Sequence, residues 1–325
     1  MSRIVLICPG RGSYTKQTRG ALDPNHPLVR RADELRAARG LPSLVSLDRD
    51  APWDAAVQLR PDHVSPLIWL HSLLDAERAA AEHEIVAVAG NSMGWYTALT
   101  VAGALSFDDG FRLVQEMAQL QMEAPAGGQV LYPIVGEDWR LDDDRFGQVL
   151  YCEEEGVFVS IKLGGFAVIA GTDEALDDFH LPPAELGKGR YPIRLAQHGP
   201  YHTPLLAGVA DKAAAQLGPL DWRAPATPLI DGTGHTHTPF VADPAALRNY
   251  TLGAQVTETY DFSASVFTAL REFAPDLLYL PGPGNSLGSI VAQIGIAEGW
   301  RGLVDRDSFE SMQNSPNPLV WSMRR

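Results

Sequence analysis

The chain has 325 residues, 45% apolar and 20% charged, with a net charge of −14. Those figures suit a soluble α/β protein large enough for one big domain with a smaller one inserted. They exclude general nucleic-acid binding, which needs surplus Lys and Arg against phosphate, and the apolar runs fall far short of a membrane span.

Ile4 to Cys8 reads as a buried strand, and Pro9-Gly10-Arg11-Gly12-Ser13 as the turn after it. Thr15 stands where a dinucleotide fingerprint needs its third glycine, so the turn does not predict a nucleotide site. Arg30, Arg31, Arg36 and Arg39, and later Lys188, Arg190 and Arg194, are the basic groups that could meet an anionic partner. Leu67, Leu70, Leu73 and Leu74 recur at helical spacing and predict an amphipathic helix from Val64 to about Ala81. Ile85 to Ala89 predicts a second buried strand, and Trp95 to Ala102 a helix.

Between them, Gly90-Asn91-Ser92-Met93-Gly94 spells G-x-S-x-G. A sharp strand-to-helix turn exposes its central side chain, and the glycines let neighbouring backbone pass close. Ser92 is therefore the candidate nucleophile, placed where helix N–H groups favour a developing oxyanion. The main-chain N–H groups of Met93 and Arg11 are the candidate oxyanion donors.

Ser106 followed by Asp109 predicts a capped helix with Phe111, Val114, Ala118 and Met122 on one face, ending at Pro125 to Gly128. Six short elements follow: strand Val130 to Val135, helix Asp142 to Tyr151, strands Val157 to Lys162 and Phe166 to Ala170, helix Glu174 to Phe179, strand Tyr191 to Leu195. That βαββαβ order is a ferredoxin-like plan. Residues 129–196 are thus an expected small subdomain, set into an α/β core of residues 1–128 and 197–325. The core resumes with a helix from Thr203 to Leu217, a helix from Phe262 to Phe273, the strand Leu277 to Leu280, and an extended tail from Asp307.

A serine hydroxyl needs a base to become a nucleophile at neutral pH. His202, where the chain re-enters the core, is the candidate. His235 and His237 fit a loop better than a metal site, and Cys8 and Cys152 lack disulfide or metal spacing. No metal is expected.

Taken in order, these segments resemble the malonyl-CoA:acyl carrier protein transacylase family. The resemblance runs through PGRGS at 9–13, GNSMGWYTAL at 90–99, LSFDDGFRLVQEMAQLQMEAPAGG at 105–128, IKLGGFAVIAG at 161–171, HGPYHTPLL at 198–206 and LYLPGPGNSLGSIV at 278–291. It implies an α/β-hydrolase-like core with a parallel sheet and a ferredoxin-like insert. It also implies a cytoplasmic enzyme with no resident cofactor, which takes an acyl group from a coenzyme A thioester and passes it to acyl carrier protein. Ser92 becomes nucleophile and His202 base, the latter oriented by a main-chain carbonyl in the loop around Tyr250.

Four positions depart from the family. Asn91 replaces a histidine, Arg11 a glutamine, Met117 the malonyl-binding arginine and Lys162 an asparagine. With Tyr201 and Tyr250 they form the expected specificity set. Met117 suits an apolar acyl group, so a non-malonyl substrate is expected. Arg11 and Lys162 could instead recapture a carboxylate in another geometry, and hydrolysis of carrier-bound acyl groups is the further alternative. Met117 as core packing and Lys162 as a solvent-facing strand residue stay open.

Overall fold

The computed structural model describes residues 1–323. In chain order, β1 (Arg3–Cys8) leads to α1 (Pro27–Ala37), the short α2 (Ala55–Gln58) and the long α3 (Pro61–Glu82). Then come β2 (Glu84–Gly90), α4 (Gly94–Val101) and α5 (Phe107–Met122). The smaller unit holds β3 (Gly128–Pro133), α6 (Asp143–Leu150), β4 (Phe158–Leu163), β5 (Phe166–Gly171), α7 (Asp173–Asp178), β6 (Ala184–Leu186), β7 (Gly189–Tyr191) and β8 (Ile193–Arg194). The chain returns through α8 (Ala207–Leu217), β9 (Leu229–Ile230), β10 (Thr236–His237), α9 (Pro244–Leu252), α10 (Ala254–Thr257) and β11 (Tyr260–Asp261). It ends with α11 (Phe262–Phe273), β12 (Leu277–Leu280), α12 (Gly288–Ala297), α13 (Arg306–Gln313) and β13 (Val320–Ser322).

The larger sheet has the order β10-β9-β2-β1-β12-β13, parallel except for β10 at one edge. Its centre is β1, where Ile4 to Cys8 are wholly inaccessible. A parallel strand covered on both faces reads as an unbroken apolar run, which is why RIVLIC shows no alternation. Ser106 caps α5, its Oγ accepting from the Asp109 N–H at 3.1 Å.

The smaller sheet has the order β11-β4-β5-β3-β8. Strands β3, β4, β5 and β8 run antiparallel to their neighbours, and β11, contributed by the larger unit, pairs parallel with β4. One face of this sheet, carrying Ile161, Leu163, Phe166 and Val168, is continuous with the main core. The boundary expected at 196 is therefore crossed by a strand from beyond it.

Several expectations change. Helix α3 is buried on every side from Pro61 to Ala76 rather than amphipathic, because it packs between other helices and the sheet. Met122 leaves the buried face of α5 and is half exposed. The strand expected at Tyr191 to Leu195 splits at Pro192, whose missing N–H cannot extend a ladder; Tyr191 closes the β6–β7 hairpin while Ile193 and Arg194 pair with β3. The tail is not extended: α13 starts in a capping box at Asp305, and β13 pairs with β12.

The expected basic patches are largely neutralised. Arg31 pairs with Glu34 and Asp108, Arg39 with Glu116, Arg190 with Glu185 and Arg194 with Asp173. Arg36 is buried, donating to the carbonyls of Pro42 and Asp62 and to the Gln115 side chain. Cys8 and Cys152 are buried free thiols. His237 pairs with Asp231 at 2.8 Å, and among the described residues no group of three or more His, Cys, Asp or Glu could hold a metal ion. No described helix is long and apolar enough to cross a membrane.

Candidate active site

Strand β2 ends at Gly90, α4 begins at Gly94, and Ser92 between them has a φ of 54°, in the left-handed region. The two glycines are required by contact. A Cβ on Gly94 would lie 2.2 Å from the Cys8 carbonyl oxygen, and one on Gly90 would lie 2.2 Å from the Gly94 carbonyl carbon. Asn91 N–H donates to the Cys8 carbonyl at 2.9 Å, pinning the turn to the end of β1.

The structure brings Ser92 and His202, 110 positions apart, to 2.8 Å between Oγ and Nε2. His202 Nδ1 lies 2.6 Å from the Gln255 main-chain oxygen. A carbonyl only accepts, so Nδ1 carries the proton and the bare Nε2 faces the serine. His202 is buried, and burial pulls its pKa down to about 4, opposed by the bond to Gln255. The imidazole is therefore neutral at pH 7, as a general base must be.

Gln255 holds both members of the pair. Its side-chain Nε2 donates to the Ser92 carbonyl at 3.2 Å, and its Oε1 accepts from Tyr96 Oη at 2.8 Å. The His202 loop is tied to the smaller sheet by a second chain of bonds. His198 Nδ1 lies 2.7 Å from Gln129 Oε1, Gln129 Nε2 donates to Ser160 at 2.6 Å, and Ser160 donates to the Tyr201 carbonyl at 2.8 Å.

A cavity of about 220 Å³ opens over the pair. Val114, Met117 and Ala118 of α5 and Leu131, Ile161 and Val168 of the smaller sheet make it mostly apolar. Arg11, Asn91, Tyr201 and Gln121 add polar groups. Met93 and Arg11 also line it, and neither main-chain N–H has an acceptor among the described residues.

Of the expected specificity set, Asn91, Met117, Tyr201 and Arg11 reach the cavity. Lys162 does not. Side chains alternate along a strand, so with Ile161 and Leu163 facing the cavity Lys162 faces away, 60% exposed and 3.0 Å from Asp261. Tyr250 is also absent from the lining: its ring packs edge-on against Trp95 and its hydroxyl accepts from Gly232 N–H at 2.7 Å. The orienting main-chain carbonyl, expected in the loop around Tyr250, is that of Gln255, five positions on in the short α10. Sequence reasoning missed Gln255, Tyr96 and Gln121. Only Gln121 had a local signal, standing one helical turn from Met117.

No family model matches the chain. The malonyl CoA-acyl carrier protein transacylase of Escherichia coli is 28% identical over 307 residues, covering 90% of this chain and 93% of that protein. A probable mitochondrial malonyl-CoA-acyl carrier protein transacylase of Drosophila melanogaster is 29% identical over 250 residues, covering 72% and 65%. Among solved structures, the acyl-carrier-protein S-malonyltransferase of Burkholderia pseudomallei shares the fold with a TM-score of 0.74 at 24% identity, covering 98% of this chain and 95% of that one. A malonyl-transacylase in complex with its type II PKS acyl-carrier protein superposes with a TM-score of 0.72 at 23% identity, covering 90% and 94%. The mixed α/β fold with its parallel strands and these relatives define an acyltransferase. The chain is similar to malonyl-CoA:acyl carrier protein transacylases over 90% of its length.

Proposed function

We propose that this protein carries an acyl group from a coenzyme A thioester to the phosphopantetheine thiol of an acyl carrier protein through an ester on Ser92, and that the acyl group is not malonyl. The observation that carries this reading is the Ser92–His202–Gln255 arrangement opening into a mostly apolar cavity.

His202 Nε2 takes the hydroxyl proton as Ser92 Oγ bonds to the thioester carbonyl carbon. The resulting oxyanion is received by the N–H groups of Met93 and Arg11. The C–S bond then breaks, His202 returns its proton to the departing thiolate, and coenzyme A leaves. The carrier thiol gives its proton to His202 and attacks the ester, and the Ser92 oxygen leaves with that proton. Each oxyanion donor contributes about 10²–10³ in rate, and the base about 10²–10⁴. Coenzyme A enters as substrate, and no resident cofactor takes part.

Met117 supports the non-malonyl reading. Its thioether lines the cavity where the resemblance would put an arginine, and a carboxylate left unpaired there would be costly. The parallel sheet with its strand–turn–helix nucleophile supports an α/β-hydrolase-like core. The sheet order of β3, β4, β5 and β8 and the two intervening helices support reading residues 129–196 as a ferredoxin-like insert, although the added β6–β7 hairpin and β11 extend that plan. A cytoplasmic enzyme of fatty-acid or polyketide synthesis is part of this reading, carried by the resemblance alone.

Intact-mass analysis with a panel of acyl-CoAs, followed by carrier protein, tests the proposal. A mass increment on the wild type that is missing in Ser92→Ala and moves to the carrier is expected. Free acid released faster than carrier is loaded would make the protein a hydrolase instead.

A further inference from the structure

We propose that Arg11, braced by Gln121 and Tyr201, is a carboxylate subsite of the acyl cavity, and that the acyl group carried by Ser92 is a carboxyacyl group with more carbon than malonyl. The inference rests on the acyl-Ser92 reading above and adds the class of acyl group.

Arg11 lines the cavity, and no carboxylate among the described residues pairs with it. Burial lowers its pKa to about 10, so it remains a cation at neutral pH. The guanidinium is held in place rather than loose. Nη2 donates to the Gln197 carbonyl at 2.8 Å, and with the Gln121 amide oriented by its neighbours, Gln121 Oε1 accepts from Nη1 at 2.8 Å and Nη2 at 3.0 Å. The same orientation lets the Gln121 amide donate to Tyr201 Oη at 3.1 Å, and the Arg11 guanidinium carbon lies 6.0 Å from the centre of the Tyr201 ring.

A guanidinium has five N–H donors, so Nε–H and one N–H of Nη1 remain without an acceptor among the described residues. A cation drawn partly out of water without a counter-ion is unfavourable, and a substrate carboxylate would supply one through charge-assisted bonds. An uncharged acyl group would leave that cation unmatched.

The rest of the cavity speaks to length. Around the cation the walls are Val114, Met117, Ala118, Leu131, Ile161 and Val168, which favour methylene or methyl groups over water. Carbons beyond the three of malonyl would lie against these apolar walls. Gln121 stands about one turn along α5 from Met117, so the positive charge is braced roughly 6 Å along the helix from the position of residue 117.

The test is the rate of Ser92 acylation, followed by intact mass on the full chain, for malonyl-, methylmalonyl-, succinyl- and glutaryl-CoA against acetyl-, butyryl- and hexanoyl-CoA. The expected result is that one of the longer or branched carboxyacyl thioesters is fastest. Arg11→Gln should lower the ratio of that thioester's rate to the rates of the neutral ones about 10- to 100-fold. A thermal melt followed by circular dichroism shows whether the variant is folded. If Arg11→Gln does not fold, Gln121→Leu must slow the carboxyacyl thioesters selectively. A neutral thioester that is fastest, malonyl matching the larger carboxyacyl groups, or a variant that slows every thioester alike overturns the inference while leaving the Ser92 reading intact. Absence of any Ser92-dependent adduct overturns both.

Discussion

His202 shows how burial and one hydrogen bond suit an imidazole to the base role proposed for it. Its imidazole is kept neutral by desolvation, and the Gln255 carbonyl selects the tautomer that leaves Nε2 bare toward Ser92. The sign follows directly: the active form is deprotonated, so activity is retained above the folded-state pKa and lost as pH falls through it. The acid limb of kcat/KM, which reports the free enzyme, should therefore fall near pH 4. A limb at the ordinary imidazole value of about 6.5 would contradict the burial argument. Tyr96 acts at one remove. Its hydroxyl orients the Gln255 amide, which holds the Ser92 carbonyl in a turn of positive φ. Tyr96→Phe should lower the single-turnover acylation rate about tenfold, in line with the loss of one buried hydrogen bond, while substrate affinity stays close to wild type. A change in KM alone would mean that Tyr96 serves binding rather than positioning.

At the level of elements, the β2–α4 turn works because three pieces of backbone meet where no side chain fits. The end of β1 passes so close to α4 that Gly94→Ala puts a methyl group 2.2 Å from the Cys8 oxygen, a backbone atom that cannot swing aside. Urea denaturation of Gly94→Ala should show a loss of about 3 kcal/mol or more, or no folded protein. A loss below about 1 kcal/mol would mean that the turn relaxes easily. The G-x-S-x-G spacing was legible because it is local. Strand β4 was legible too, and its alternation alone separates Ile161 and Leu163 from Lys162. Helix α13 and strand β13 were not, since Asn and Pro residues nearby suggested an extended tail while the strand owes its existence to pairing with β12.

Across the whole molecule, the cavity belongs to neither sheet alone. Helix α5 supplies one wall and the smaller sheet another, and the Gln129–Ser160–Tyr201 bonds fix the base-bearing loop to that second wall. Ser160→Ala, buried and small, should leave the melting temperature within a few degrees of wild type but slow acylation severalfold, because the His202 loop loses its anchor. An unchanged rate in a single-turnover measurement would show that Gln255 suffices to hold it. The proposed nucleophile and base, the buried strands and the resemblance were readable from residue order, since each depends on neighbours within a few positions or on motifs whose sequence order survives. Their partners were not. Gln255 lies 53 positions after His202 and Arg11 lies far before Gln121, so no periodicity links them. Sequence alone determined which groups can react, because reactivity resides in residue type and local backbone. Only tertiary structure decided which charges are neutralised, which side chains face the cavity and which cation in it lacks a counter-ion, because those depend on distances between segments that chain order does not encode.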